Sequence, residues 1–286
     1  MLHNRRYTPS EGELLYHYCS PHTFLTICDT KRLRFSDLFS MNDFMEVHWG
    51  YWVWQQAAGS LLDEVGKDFL DAIDGVIHAS GVKALALASC MSRKGDVLSQ
   101  WRAYGADGTG YSIGFEATEL VQLAIQPLCV EYDVNKQMEE VKAFIRGIHE
   151  VETEEGVKQG PDFIHTCLRL AFDLTSFKNP AFVEEDEVRL IHMLNFEPSN
   201  GSLRLVDPGG TAFGQPSRAQ DVGFHISRST PVAHLDIPFT ANARPCPIAE
   251  VVLGPKNESM LAGVSVMLET VGLADVNVRK SKASYR

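Results

Sequence analysis

The sequence predicts an α+β fold, a mixed and largely antiparallel sheet with flanking helices, on three observations. Strand-like and helix-like segments alternate irregularly, with no sustained β-α-β repeat. Several strand-like runs follow one another at hairpin distance, which favours antiparallel neighbours. Hydrophobic residues make up 44% of the 286 positions, enough to fill a sizeable core. That length fits one large domain or two small ones. With no internal repeat and no low-complexity segment, the chain reads as a single domain over residues 1–286.

The stretch "LLYHYCS" at 14–20 opens as a strand. Alternation puts Leu15, His17 and Cys19 on one face and Leu14, Tyr16 and Tyr18 on the other. Taken alone, His17 is a core histidine bonded to a backbone carbonyl. Ser20 then caps a short helix that begins at Pro21 and runs to about Lys31, with Phe24, Ile27 and Cys28 at helical spacing. "RLRFS" is a second strand, and "DLFSMNDFMEVHWGY" is irregular. Leu62, Val65, Phe69, Ile73 and Ile77 recur near the 3.6 period and predict one helix over 61–79.

"KALALASC" is a buried strand, "DVLSQWRAYG" a short helix or turn, "ADGTG" a loop and "YSIGF" a strand. "ATELVQLA" is a helix and "LCVEYD" a strand, followed by helices at 135–150 and 160–177 and the strand "EVRLIHM". Dense Gly, Pro, Ser and Asn make 195–220 a loop. Strands "GFHIS", "VAHLDI" and "AEVVLGP", a helix over 257–271 and a last strand "VNVRK" complete the chain. The basic tail "VRKSKASYR" reads as frayed.

A net charge of −11 without a Lys/Arg cluster weighs against non-specific binding of duplex nucleic acid. A nucleotide or a single-stranded end needs only one or two arginines and stays open. No apolar stretch approaches the roughly 20 residues that span a bilayer. The opening "MLHNRRYTPSEGE" lacks the apolar run of a secretory signal, so no membrane partner is expected. Cys19, Cys28, Cys90, Cys129, Cys167 and Cys246 are scattered without a C-x-x-C pair. They read as reduced thiols of a cytoplasmic protein, not a disulfide frame or a zinc site.

Four stretches thread polar residues through aromatic ones. They are "YHY"; "FSDLFSMNDFME", with Ser36, Asn42, Asp43 and Glu46; "LSQWRAYGADGTGYSIGF", with Trp101, Arg102, Tyr104 and Tyr111; and "FKNPAFVEEDEVRLI". If the latter half of the last is a strand, Glu185, Glu187 and Arg189 share one face. In this order the stretches resemble the bacterial family called domain of unknown function 2971. Its pattern is an opening Y-x-Y strand, F-S-x-x-x-x-x-N-D, W-x-x-Y-x-x-x-x-x-G-x-x-x-x-F, an acidic E-x-E-x-R strand and a late I-x-x-I-x-x-G strand. The resemblance runs over about 14–271 and closes on "IAEVVLG". Many members continue N-D-P-F-E where this chain has "NDFME", so the proline turn is missing. The family name implies no activity.

A histidine on the first strand, a tyrosine on a middle strand and a late E-x-E also resemble, in layout, the ADP-ribosyltransferases of the His-Tyr-Glu signature. That resemblance implies an ADP-ribosyltransferase-like fold that consumes NAD in a cleft between its sheets and modifies a protein or nucleic-acid acceptor. The setting it implies is conflict with phage or a toxin. His17 would contact the ribose and the amide end, Tyr111 or Tyr104 would stack on nicotinamide, and Arg102 would pair with pyrophosphate. Asn42 joins these cofactor-binding residues. Glu187 would hold the ribose 2′-hydroxyl and stabilise the oxocarbenium-like sugar, and Glu185 would orient or deprotonate the acceptor. The chemistry asks for such groups: a preplaced carboxylate stabilises the developing sugar cation, and an aromatic face holds the flat cationic ring.

Plainer alternatives stand beside each assignment. Tyr111 is a core strand aromatic, "EEDEVR" a solvated acidic turn, "SMND" a simple turn, and "WRAY" a packing corner with Arg102 over Trp101. Glu187 pairs with Arg189 or Arg228. Two other function classes remain open. A metal-dependent phosphodiesterase or nuclease would gather Asp43, Glu185 and Glu187 on Mg²⁺ and would want a basic groove. A non-catalytic module would bind a nucleotide-type small molecule without chemistry. There is no G-x-S-x-G elbow, and "GADGTG" lacks the Lys-Ser/Thr of a phosphate-binding loop.

Overall fold

In the computed structural model, residues 5–40, 44–81, 83–155, 159–240 and 246–285 are described. The architecture is α+β, a mixed and mostly antiparallel open sheet with flanking helices, and its main sheet, of eleven strands among the described residues, is organised around β3 (Ala84–Ser92). One edge of β3 is paired along its whole length with β6 (Glu187–Ser199), from Ala84↔Asn195 to Ser92↔Glu187. The other edge is shared. β2 (Arg32–Asp37) meets it at Ser36↔Ala88 and Asp37↔Leu87, and β1 (Leu14–Cys19) meets it at Tyr16↔Ser92. Among the described residues neither strand pairs with Ser89, Cys90 or Met91 on that edge.

Each claimant strand is pinned elsewhere. β1 lies along β4 (Tyr111–Glu116), which pairs with β12 (Ile248–Leu253), and β13 (Asn277–Lys280) follows β12 in parallel. On the other side β2 lies along β11 (Thr230–Pro238), and β10 (Gly223–Ser227) forms a hairpin with β11. The sheet is therefore split where β1 and β2 diverge from β3.

Two apolar bodies support the sheet. The larger packs β1, β4 and β12 residues such as Leu15, Ile113 and Val251 against α1 (Pro21–Thr30) and α9 (Leu261–Thr270). As the sequence predicts, the Ser20 side chain caps α1 by accepting the Thr23 N–H at 3.2 Å. The second body is helical. It joins α2 (Phe44–Ser60), α4 (Lys67–Ser80), α7 (Val134–Glu155) and α8 (Pro161–Asp173) through Trp54, Ile73, Ile145 and Leu170.

The structure corrects several expectations. The irregular stretch after Asp37 contains α2, a 17-residue helix. Its aromatic residues lie on several sides, so no amphipathic period announces it. The helix expected over 61–79 is two, α3 (Leu62–Val65) and α4, broken at Gly66, whose φ of 83° a helix cannot accommodate. A short α6 (Ala117–Leu120) follows β4, and β5 (Gln126–Cys129) starts before "LCVEYD". The expected loop at 195–220 holds β7 (Ser202–Val206), hairpinned to β6, and the small ribbon of β8 (Gly210–Ala212) and β9 (Gln215–Ser217). Edge strands this exposed carry turn-like composition, which hides them from a pattern reading.

The closing basic segment does not fray. After β13, the Ser281 hydroxyl and the Lys282 N–H donate to Asp96, and the Tyr285 hydroxyl donates to Asp107. Asp96 also accepts the Trp101 indole N–H at 2.8 Å. The tail thus fixes α5 (Leu98–Ala103), the helix that carries Trp101. Burial works to raise the Asp96 pKa, but the donors Ser281, Lys282 and Trp101 outweigh it and hold the carboxyl below its ordinary value. Stability from this group is present above the unfolded carboxyl pKa and disappears as pH falls through the depressed one. Asp96→Ala should cost about 2–3 kcal/mol in urea denaturation at neutral pH, and less in acid. An unchanged denaturation midpoint would remove Asp96 as the anchor of the tail.

Candidate functional site: a cleft at the split in the sheet

The split opens into a cavity of about 280 Å³ lined from β1, β2, β3, α5 and the turn before β6. His17 is one of the residues that line it. Its Nδ1 lies 3.2 Å from the carbonyl oxygen of Cys90, in the stretch of β3 that neither β1 nor β2 pairs among the described residues. A carbonyl only accepts, so Nδ1 carries the proton and Nε2 is left as an acceptor. Burial pushes the imidazole pKa down, with the Cys90 carbonyl opposing, so the ring is neutral near pH 7.

An ion-pair chain forms one wall. Lys178, only 2% exposed, donates to Oε2 of both Glu185 and Glu187, at 3.0 Å for the latter. Arg189, 1% exposed, donates from Nε to the other Glu187 oxygen at 2.9 Å and from Nη1 to the Thr175 carbonyl at 2.6 Å. Tyr104, at the mouth, donates its hydroxyl to Glu185 Oε1 at 3.0 Å. The two carboxyls part in opposite directions. Burial pushes Glu185 up, against Lys178 and Tyr104. Burial also works on Glu187, but Arg189 and then Lys178 overcome it and bring the pKa down to about 2.

Local backbone explains why both glutamates reach one lysine. Glu185 is not on the strand, as strict alternation assumed; it ends the 3-10 turn Pro180–Glu185. Asp186 then takes a left-handed conformation, φ 45°, and turns the chain into β6 at Glu187. Aspartate tolerates this region better than most residues, and Arg93 and Lys94 hold its carboxylate.

The structure brings together His17, Tyr104, Glu185 and Glu187 in the lining of this cleft. It does not bring Tyr111 there. That ring is buried on the core side, stacked on Phe24 at a centroid distance of 4.0 Å, with its hydroxyl on Ser259. Arg102 is also outside. It lies on the far side of α5 over the Tyr285 ring at 5.8 Å, not over Trp101, which packs edge-on to Tyr18. The helical period explains this, since residues two apart on α5 face apart. Asn42 and Asp43 lie outside the described residues. Of the two candidate partners of Glu187, Arg189 is the one bonded.

Sequence reasoning missed Lys178, Arg34, Ser89, Cys90 and Gln100, all in the lining. Lys178 could have been flagged as a lone charge in "TSFKNPAF", and Arg34 as a charged residue in the strand "RLRFS". Arg34 is held by Asp236 through two bonds of 2.8 Å. Gly95 has a steric reason: a Cβ there would fall 2.3 Å from the Tyr16 ring beside the cleft. Among the described residues no cluster of three or more metal-type side chains occurs. Glu185 and Glu187 already share the Lys178 ammonium, which a divalent ion would have to displace. No helix among the described residues is long and apolar enough to cross a membrane.

Residues 100–190 match a family model described as a protein of unknown function (DUF2971), about a third of the chain. The match contains Tyr104, Lys178, Glu185, Glu187 and Arg189. No curated protein and no solved structure matches the chain.

Removing the Glu187 charge leaves two buried cations with one fewer counter-ion. Glu187→Gln should therefore destabilise the fold by about 3 kcal/mol. The wild-type contribution is present above the unfolded carboxyl pKa and is lost as pH falls toward 2, so the variant's deficit should shrink in acid. Chemical denaturation at pH 7 and pH 3 checks both; an equal deficit at the two values would contradict the ion-pair account.

Proposed function

We propose that the cleft binds a nucleotide-type ligand and transfers the sugar of an N-glycosidic bond, with NAD consumed as the donor and a protein or nucleic acid as the acceptor. What supports this is the opposite displacement of two carboxyls bridged by Lys178 beside a neutral histidine. Environments that push paired titratable groups apart are how acid and base roles are divided.

In the reaction, the bond between ribose C1 and the pyridinium nitrogen breaks, and its electron pair leaves with neutral nicotinamide. An acceptor O–H then bonds to C1, and its proton passes to Glu185. A raised pKa makes Glu185 the better base. Glu187, the group that the layout resemblance would set on the sugar cation, is the more deeply buried of the two carboxylates and is held ionised by Arg189 and Lys178. Its part in the proposal is to position Lys178, and through it Glu185. Tyr104 donates to the Glu185 oxygen that Lys178 does not hold.

The test is nicotinamide release from NAD by purified protein in the presence of a chelator, with water as the default acceptor. Release should survive chelation and fall about 10²-fold or more in Glu185→Gln. Because Glu185 must be ionised to act, its activity should rise with pH along a limb lying above the ordinary glutamate range. Binding of NAD without release would favour the non-catalytic module. Activity seen only with added Mg²⁺ on a phosphodiester would favour the metal-dependent class.

A further inference from the structure

Two deeply placed residues keep polar side chains open to the cleft. Ser89 is 2% exposed, and its Oγ makes no hydrogen bond. Gln100 is 5% exposed, and its side-chain amide lies along the cavity. Both line the cavity that holds His17. An unsatisfied buried polar group costs about 1–3 kcal/mol, so native proteins keep few of them. The Ser89 hydroxyl is such a group, and the Gln100 side chain from α5 lines the same cavity, so one ligand edge can meet both. Neither carries charge. Together with His17 Nε2 they offer an amide donor, an amide acceptor, a hydroxyl that does both and a ring acceptor.

We propose that Ser89 and Gln100 are the specificity contacts of this cleft and read the adjacent donor and acceptor of an uncharged amide-type edge on a flat ring. A carboxamide on a pyridine ring has that edge, and so does the amine-and-ring-nitrogen edge of adenine. This rests on the proposal that the cleft takes a nucleotide-type ligand, and it names the part of the ligand that is recognised. Aromatic walls fit a flat ring: Tyr16, Tyr18 and Tyr104 line the same space. Tyr16 and Tyr18 already spend their hydroxyls on Glu250 and the Lys94 carbonyl, which leaves their faces for packing.

The experiment measures binding by calorimetry for two matched pairs, nicotinamide with 3-acetylpyridine and adenine with purine. Each second member keeps the ring and loses the amine. The wild type should bind at least one amine-bearing ring about tenfold or more tightly than its match. The pair that shows the preference tells the two sources apart. Ser89→Ala and Gln100→Leu should each reduce the preference toward equality. Ser89→Ala should also leave the melting temperature of the ligand-free protein unchanged or raised, because it removes an unpartnered buried hydroxyl.

Equal binding within both pairs, binding of neither ring, a preference that survives both substitutions, or a melting temperature lowered by Ser89→Ala would each overturn the proposal. The glycosyl-transfer proposal fails separately. An intact preference without nicotinamide release from NAD overturns only the chemistry, and release without a preference overturns only this recognition.

Discussion

One strand edge with two claimants sets the rest of the structure. β3 gives one edge wholly to β6, and its other edge is taken by β2 at one end and β1 at the other. Neither can slide across to close the gap, because β4 fixes the register of β1 along its whole length and β11 fixes that of β2. The Cys90 carbonyl falls in the gap, and a buried carbonyl needs a donor. His17 supplies it from the side chain. The imidazole buried in the first strand is therefore a stitch across a split sheet. Its tautomer is a consequence of that stitch, and so is the acceptor it leaves in the cleft.

The ion-pair chain depends on the second apolar body as much as on the sheet. Lys178 and the Thr175 carbonyl belong to the segment that leaves α8, and α8 is held by the helical cluster. The Gln137 amide of α7 donates to the Lys178 carbonyl at 2.9 Å and ties that segment to a second helix. Glu187 and Arg189 come from β6 instead. The wall of the cleft is thus the seam between helices and sheet, with charges arriving from both sides. Two carboxylates and two cations compensate one another, so a protein of net charge −11 presents a locally balanced site. Balance matters because an unpaired charge at this depth would be expelled or neutralised.

The elements legible in the sequence were those with a clean period or a strong cap. β1, α1 and β3 are read from alternation, from Ser20 and Pro21, and from an unbroken apolar run. What stayed hidden had opposing local signals. α2 is aromatic on several sides, Gly66 breaks an otherwise continuous period, and β7 sits in turn-like composition. At the site, the carboxylates and His17 stood out because charge and imidazole are conspicuous against apolar strands. Tyr111 misled because one face of a strand looks the same from sequence whether it meets a core or a cleft, and here it meets Phe24. Ser89 and Gln100 were invisible for the converse reason. Their place in the cleft, and the partner that the Ser89 hydroxyl lacks, are defined only by the packing around them.

The position of α5 links these features. A helix of six residues has little stability of its own. Trp101 buries its ring against Tyr18, and Asp96 binds both that indole and the tail beyond β13. These contacts fix the helix through Trp101 and Asp96, neither of which lines the cleft. Gln100 and Tyr104 are then held in place without using their own polar atoms for anchorage, apart from the Tyr104 bond to Glu185. That division is what preorganisation requires: groups meant for a ligand are positioned by neighbours, and their hydrogen-bonding capacity is kept free. The same logic covers His17, which spends one nitrogen on the fold and keeps the other. The cleft therefore exists before any ligand arrives, and its shape follows from strand register and side-chain anchorage.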